Sequence, residues 1–159
     1  MRRNLIIGAL AGVSIAVAGA AAFAQAQFGT AQEARAMLDN TVAGLKADKT
    51  KTLDLINKGE SGFLDRDLYP FCFNLSDGKI VAVASNNAKQ FLATDVRALK
   101  DSTGKVYGPE LYAAGQKPEG QVTEVSYMFP RPGANTTPVA KVSIVAKAGD
   151  LACGVGSYK

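Results

Sequence analysis

The chain has 159 residues, 47% of them hydrophobic, with 18 basic and 14 acidic side chains and a formal charge of +4. That length supports one ordinary domain with a single core rather than two. The sequence pI of about 9.1 raises nucleic-acid binding, but the lysines are scattered, with no basic block and no interleaved aromatics, so the charge reads as solubility.

Arg2 and Arg3, the apolar run 5–17 and the small-x-small triplet Ala22-Phe23-Ala24 make the three parts of a secretory signal peptide. Cleavage is expected before Gln25, with Gln27 as the competing site. An uncleaved membrane anchor is the alternative, because the apolar run continues to Phe23 and reaches 19 residues, near the lower limit for a bilayer span. Residues 1–24 are thus assigned to the leader and residues 25–159 to one exported domain of 135 residues and net charge +2. No second apolar stretch of that length follows.

Thr30 and Glu33 form a capping box, so a helix should begin at Ala31. Ala34, Leu38, Val42, Leu45, Leu53 and Ile56 trace one apolar stripe, and Lys58-Gly59 supplies a closing cation and a left-handed cap. The spacing predicts a long helix over 31–58, with a kink between Gly44 and Lys49 left open. From Asp67 the period changes to two: Tyr69, Phe71 and Phe73 share one side of a strand that starts at Pro70, and Ser76-Asp77-Gly78 turns the chain into a second strand over 79–84. Residues 85–120 are irregular, with short helical segments at 87–91 and 109–114, and a connection of that length in a small domain is usually functional. Segments 122–129 and 139–147 alternate as a second hairpin, and Ala148-Gly149-Asp150 turns into a last strand ending at Tyr158.

The segments "DRDLYPFCF" and "DGKIV", "LKDSTGKVYGPELY", "GQVTEVSYMFPRPG", "PVAKVSIVAK" and "CGVGSYK" follow one another in this order. In them the chain resembles a single Cache domain of the second type, the PAS-like extracellular sensor module of bacterial chemoreceptors and sensor kinases. The likeness spans residues 30–159. It implies an α+β fold, a long N-terminal helix packed on a five-stranded antiparallel sheet of order 2-1-5-4-3, with the opposite face and the crossover enclosing a small-ligand pocket. Dimerisation through the N-terminal helix and a membrane-bound signalling partner are further implications. Two positions depart from the pattern: Val83-Ala84 stands where many members carry histidine and proline, and Ala93 stands where a glycine is usual. Family receptors continue into a second span and an output domain, whereas this chain reads as a stand-alone periplasmic module.

If the first and last strands are neighbours, as that order implies, Cys72 and Cys153 face each other at bridging distance and a disulfide is expected in an oxidising compartment. Two buried free thiols are the other reading. Tyr69, Phe71, Tyr127, Phe129, Arg131 and Lys141 are the candidate ligand-binding residues. Arg131 offers a two-pronged carboxylate grip, and Lys141 is a cation midway along a strand. A Tyr-x-Phe strand is more often plain core, because any half-buried strand alternates in this way, and Arg131 between two prolines is equally a solvated turn. Lys100 and Asp101 on the crossover are weaker candidates.

No catalytic residue, metal site or cofactor is expected. Without histidine no serine or cysteine triad can form, and two distant cysteines make no usual zinc set. There is no haem attachment, phosphate loop or dinucleotide fingerprint. Asp65 and Asp67 read as caps of the loop before the first strand. The expected function is capture of a small anionic metabolite, a short carboxylate or an amino acid. An envelope protein-interaction module with a degenerate pocket is the alternative.

Overall fold

The computed structural model describes residues 27–159, and the expected leader at 1–24, with its cleavage point before Gln25, lies outside them. Helix α1 (Ala31–Ala47) starts at the capping box. Thr30 Oγ1 accepts from the Glu33 N–H at 3.2 Å and the Glu33 carboxylate accepts from the Thr30 N–H at 2.7 Å. The helix expected to continue to Lys58 is two helices. At Asp48 the backbone becomes extended (φ −154°), and its carboxylate accepts from the Lys51 N–H at 3.0 Å, capping α2 (Lys49–Lys58). Aspartate competes for backbone N–H groups better than it propagates a helix, so the break falls there. Gly44 lets the two segments meet, since a Cβ on it would lie 3.0 Å from Thr52 Oγ1. Gly59, at φ 69°, ends α2 in the left-handed conformation.

Strands β1 (Pro70–Asn74), β2 (Ile80–Val83), β3 (Val122–Pro130), β4 (Pro138–Ala148) and β5 (Leu151–Tyr158) form one antiparallel sheet in the order β2-β1-β5-β4-β3. The last strand is therefore the middle one. It pairs with β1 through Cys72↔Cys153 and with β4 through Ile144↔Val155. Cys72 and Cys153 are joined by a disulfide across that register. Strand alternation puts it on the sheet face that also carries Val142 and Ser157, the face against which α1 packs. On the other face Phe73 and Ala152 receive α3 (Gly108–Gly115), where a Cβ on Gly115 would sit 2.4 Å from the Ala152 Cβ. At Val81 and Val83 the outer edge of β2 is satisfied by one side chain: Asn57 Nδ2 donates to the Val81 carbonyl at 3.2 Å and Asn57 Oδ1 accepts from the Val83 N–H at 3.0 Å. Among the described residues no helix is long and apolar enough to cross a membrane.

The crossover between β2 and β3 contains two single 3-10 turns, Lys89–Phe91 and Val96–Ala98, before α3. It is pinned to both edge strands. On one side the Ala93 N–H donates to the Ile80 carbonyl (2.8 Å) and the Ile80 N–H to the Thr94 carbonyl (2.9 Å). On the other, the Met128 N–H donates to Asp101 Oδ2 (2.9 Å) and Lys105 Nζ to the Ser126 carbonyl (2.7 Å). The crossover thus roofs half of one sheet face. Ala93 adopts φ 64°, in the left-handed region, at a steric cost a glycine avoids.

Ala93→Gly is therefore expected to stabilise the protein in urea unfolding by about 0.5–1 kcal/mol after the added freedom of the unfolded chain is subtracted; a loss of stability would contradict the strain. Replacing both cysteines by alanine opens a loop of sequence separation 81 and is expected to cost up to about 4–5 kcal/mol in the chain-entropy treatment, read from urea unfolding of the two proteins side by side.

A cavity with a buried lysine

Lys141 stands in the middle of β4, opposite Tyr127 on β3 and Tyr158 on β5. Strand alternation sends its side chain to the crossover face, where it is only 2% exposed. Nζ donates to the Tyr69 hydroxyl at 2.9 Å and lies 4.2, 4.8 and 5.0 Å from the ring centroids of Tyr69, Tyr158 and Phe129. Aromatic faces attract the ammonium, but none of them neutralises it. Among the described residues no carboxylate pairs with it; Asp67, whose charge it feels, has one oxygen accepting from the Gly29 N–H at 2.7 Å and the other bound to Arg131. Burial therefore lowers the Lys141 pKa from 10.5 to about 7, with Asp67 opposing the shift.

The space above Nζ is walled by Phe71, Ile80 and Val83 from the first hairpin, by Tyr127 and Phe129 from β3, and by Ala88, Phe91, Tyr107 and Leu111 from the crossover. Tyr107 stacks on Tyr127 with centroids 3.9 Å apart and planes 3° from parallel. The Tyr127 hydroxyl is tied to Ser143 Oγ at 2.7 Å. Burial pushes the phenols of Tyr69, Tyr107 and Tyr127 up, so all three remain neutral hydroxyls at ordinary pH. The free volume for the centres of water-sized spheres is about 30 Å³, room for roughly two water molecules. The cavity thus has one cationic end, neutral hydroxyls beside it and an apolar remainder.

Five of the six candidate residues, Tyr69, Phe71, Tyr127, Phe129 and Lys141, line this one cavity. Arg131 is not among them. Its guanidinium pairs with Asp67 through Nη1 and lies over the rings of Phe28 (3.8 Å) and Tyr158 (4.6 Å), so its charge already has a partner. Asp67, expected as a loop cap, is 4% exposed and ties the backbone before α1 to the end of β3. Asp65 pairs with Arg66 at the surface. Asp101 is a fastening: it accepts from the N–H groups of Thr103, Lys105 and Met128 and from the Thr103 hydroxyl, which together hold its carboxyl at about 2. Lys100 bridges to Val106 within the same turn.

Sequence reasoning missed the crossover residues of the wall. Their one signal was the four-residue spacing of Tyr107 and Leu111 beside Pro109, which puts both on one side of a short helix. Val83 lines the cavity as an aliphatic wall. Among the described residues no group of three or more histidines, cysteines or acids is placed to hold a metal ion.

No family model matches the chain, and no curated protein does. Solved structures do match. One described as a periplasmic sensor domain of a chemotaxis protein is 21% identical, with a TM-score of 0.58, over 80% of this chain and 88% of its own. A methyl-accepting chemotaxis protein from Vibrio parahaemolyticus gives 19% identity and a TM-score of 0.61 over 80% and 86%. A Cache chemosensory domain described for its recognition of carboxylic acid gives 23% and 0.57 over 80% and 86%. The fold is that of a single Cache-type sensor domain.

A lysine whose folded pKa is depressed destabilises the fold while it is charged in both states, and that penalty disappears as pH rises from the folded toward the unfolded pKa. With Lys141 at about 7, stability of the ligand-free protein is expected to increase by about 2 kcal/mol between pH 7 and pH 9. The raised tyrosine pKa values act only above that window. Urea midpoints at successive pH values should show the rise in the wild type and a flat profile in Lys141→Met; a flat wild-type profile would remove the buried charge from the account.

Proposed function

We propose that this chain, which shares the fold of Cache-type chemosensory domains, is a non-catalytic periplasmic binding domain for a short monocarboxylate. The observation that carries the reading is Lys141: a buried ammonium without a carboxylate partner among the described residues, facing a cavity whose other polar groups are neutral hydroxyls. An unpaired buried charge is costly, and an anionic ligand supplies the missing partner. The carboxylate would sit against Lys141 and Tyr69, and its carbon tail against Phe71, Phe91 and Phe129. One solved neighbour is described for carboxylic acid recognition, which supports the ligand class.

The lining favours a simple acid over the amino acid also considered from sequence. None of the residues around the cavity is acidic, so an α-ammonium group would be buried beside Lys141 without a partner. A second carboxylate would likewise meet the aliphatic wall at Val83. The free volume of about 30 Å³ favours the smallest members, acetate and propionate. Export by the leader at 1–24, delivery of the bound state to a membrane signalling partner, and pairing through α1 belong to the same reading. The small volume also favours one rival, a collapsed pocket in a protein-interaction module, and ligand titration separates the two.

Acetate or propionate at about a hundredfold excess over Kd should stabilise the protein by about 2.7 kcal/mol, whereas alanine and succinate should leave it unchanged. Lys141→Met should abolish the effect. Silence toward every short monocarboxylate, in protein refolded to remove any carried ligand, would favour the collapsed-pocket rival; an equal response to alanine would overturn the ligand class.

A further inference from the structure

The path of the Lys141 side chain across the sheet depends on a residue that touches no cavity space. β5 carries glycine at 154 and 156 on the face that bears Phe71 and Lys141, and Gly156 lies opposite Ser143 in register. Neither glycine has a positive φ, so the backbone there is ordinary strand that any residue adopts. What both supply is space. A Cβ on Gly154 would lie 2.5 Å from the Phe71 ring; one on Gly156 would lie 2.1 Å from Lys141 Cε, 3.1 Å from Lys141 Cδ and 2.7 Å from Ser143 Oγ. The lysine stem therefore lies flat over Gly156 on its way from β4 to Tyr69 beside β1.

We infer that Gly156 is the positioning residue of the site: its missing side chain is the slot that lets Lys141 cross β5 and present its ammonium beside Tyr69. The inference rests on the anion-binding reading of Lys141 for its function, but not for its geometry. Any side chain at 156 occupies the slot, and the nearest obstacle is the far end of a flexible stem, which moves more easily than the strand. The consequence of Gly156→Ala is then a folded domain with its lysine turned out of the cavity. Ser143, which holds Tyr127, is the second group to be displaced.

The test uses Gly156→Ala, Lys141→Ala and the double variant in the full exported chain. Gly156→Ala should keep the wild-type circular dichroism, lose most of the rise in stability between pH 7 and pH 9, and weaken acetate binding about tenfold or more, the loss of one charge-assisted contact. In the Lys141→Ala background the alanine at 156 should change neither quantity, because the two substitutions act on one group. A Gly156→Ala protein that retains the wild-type pH profile and acetate affinity overturns the inference even if acetate binds. Should the wild type bind no carboxylate, the functional reading fails, and the pH profile alone still decides the role of Gly156. If Gly156→Ala does not fold, the double variant decides: recovery of folding with Lys141→Ala places the clash on the lysine, and failure to recover assigns the glycine to the strand itself.

Discussion

The position of β5 between β1 and β4 is the constraint on which the rest of this domain depends. The two hairpins, 70–83 and 122–148, have no direct register with each other, and within the sheet each is joined to the other only through the final strand. Tyr69 and Lys141 are 72 residues apart in the chain, yet share a hydrogen bond because β5 sets the gap between their strands. The disulfide fastens one side of that strand, and α1 covers the same face. With the helix side closed in this way, the opposite face holds the cavity beneath the crossover, beside the packed α3.

Within that frame the domain keeps a group that works against its own stability. Methionine or leucine at 141 would fill the space without an ammonium to desolvate, and buried charges replaced by apolar side chains are commonly neutral or favourable. The neighbouring ion pair follows a different logic. Asp67 and Arg131 neutralise each other, and the guanidinium lies over two rings, so this pair joins the chain before α1 to the ends of β3 and β5. Two cations of similar appearance in the sequence thus divide into one that is spent on architecture and one that is left with its charge unmet.

Local signals carried much of the fold. Thr30 with Glu33, the turn at Ser76-Asp77-Gly78 and the change of period near Asp67 are each decided by neighbours within a few residues, and each appears in the structure where the pattern puts it. The strand order came from family resemblance and not from periodicity, since nothing in an alternating strand names its partner. Asp48 was visible as a possible kink but not as a cap, because capping depends on whether the helix before it stops. Arg131 could not be separated from Lys141 by sequence: the distinction lies in Asp67, 64 residues away. Gly156 was read as part of a motif, and only the position of the Lys141 stem discloses what its emptiness is for.

The fastening of the crossover at both sheet edges is uneven. Backbone bonds at Ile80 and the Asp101 and Lys105 contacts to β3 hold its middle and far portions, while the near portion is tied to the end of β3 by Asn87 Nδ2, through two long contacts of 3.3 Å to the carbonyls of Pro130 and Arg131. Ala88 and Phe91, next to that weaker tie, form the wall of the cavity on this side. The 85–91 segment is therefore the part of the roof with the weakest tie to β3, and local opening of the cavity is expected to begin there rather than at Ile80 or Met128.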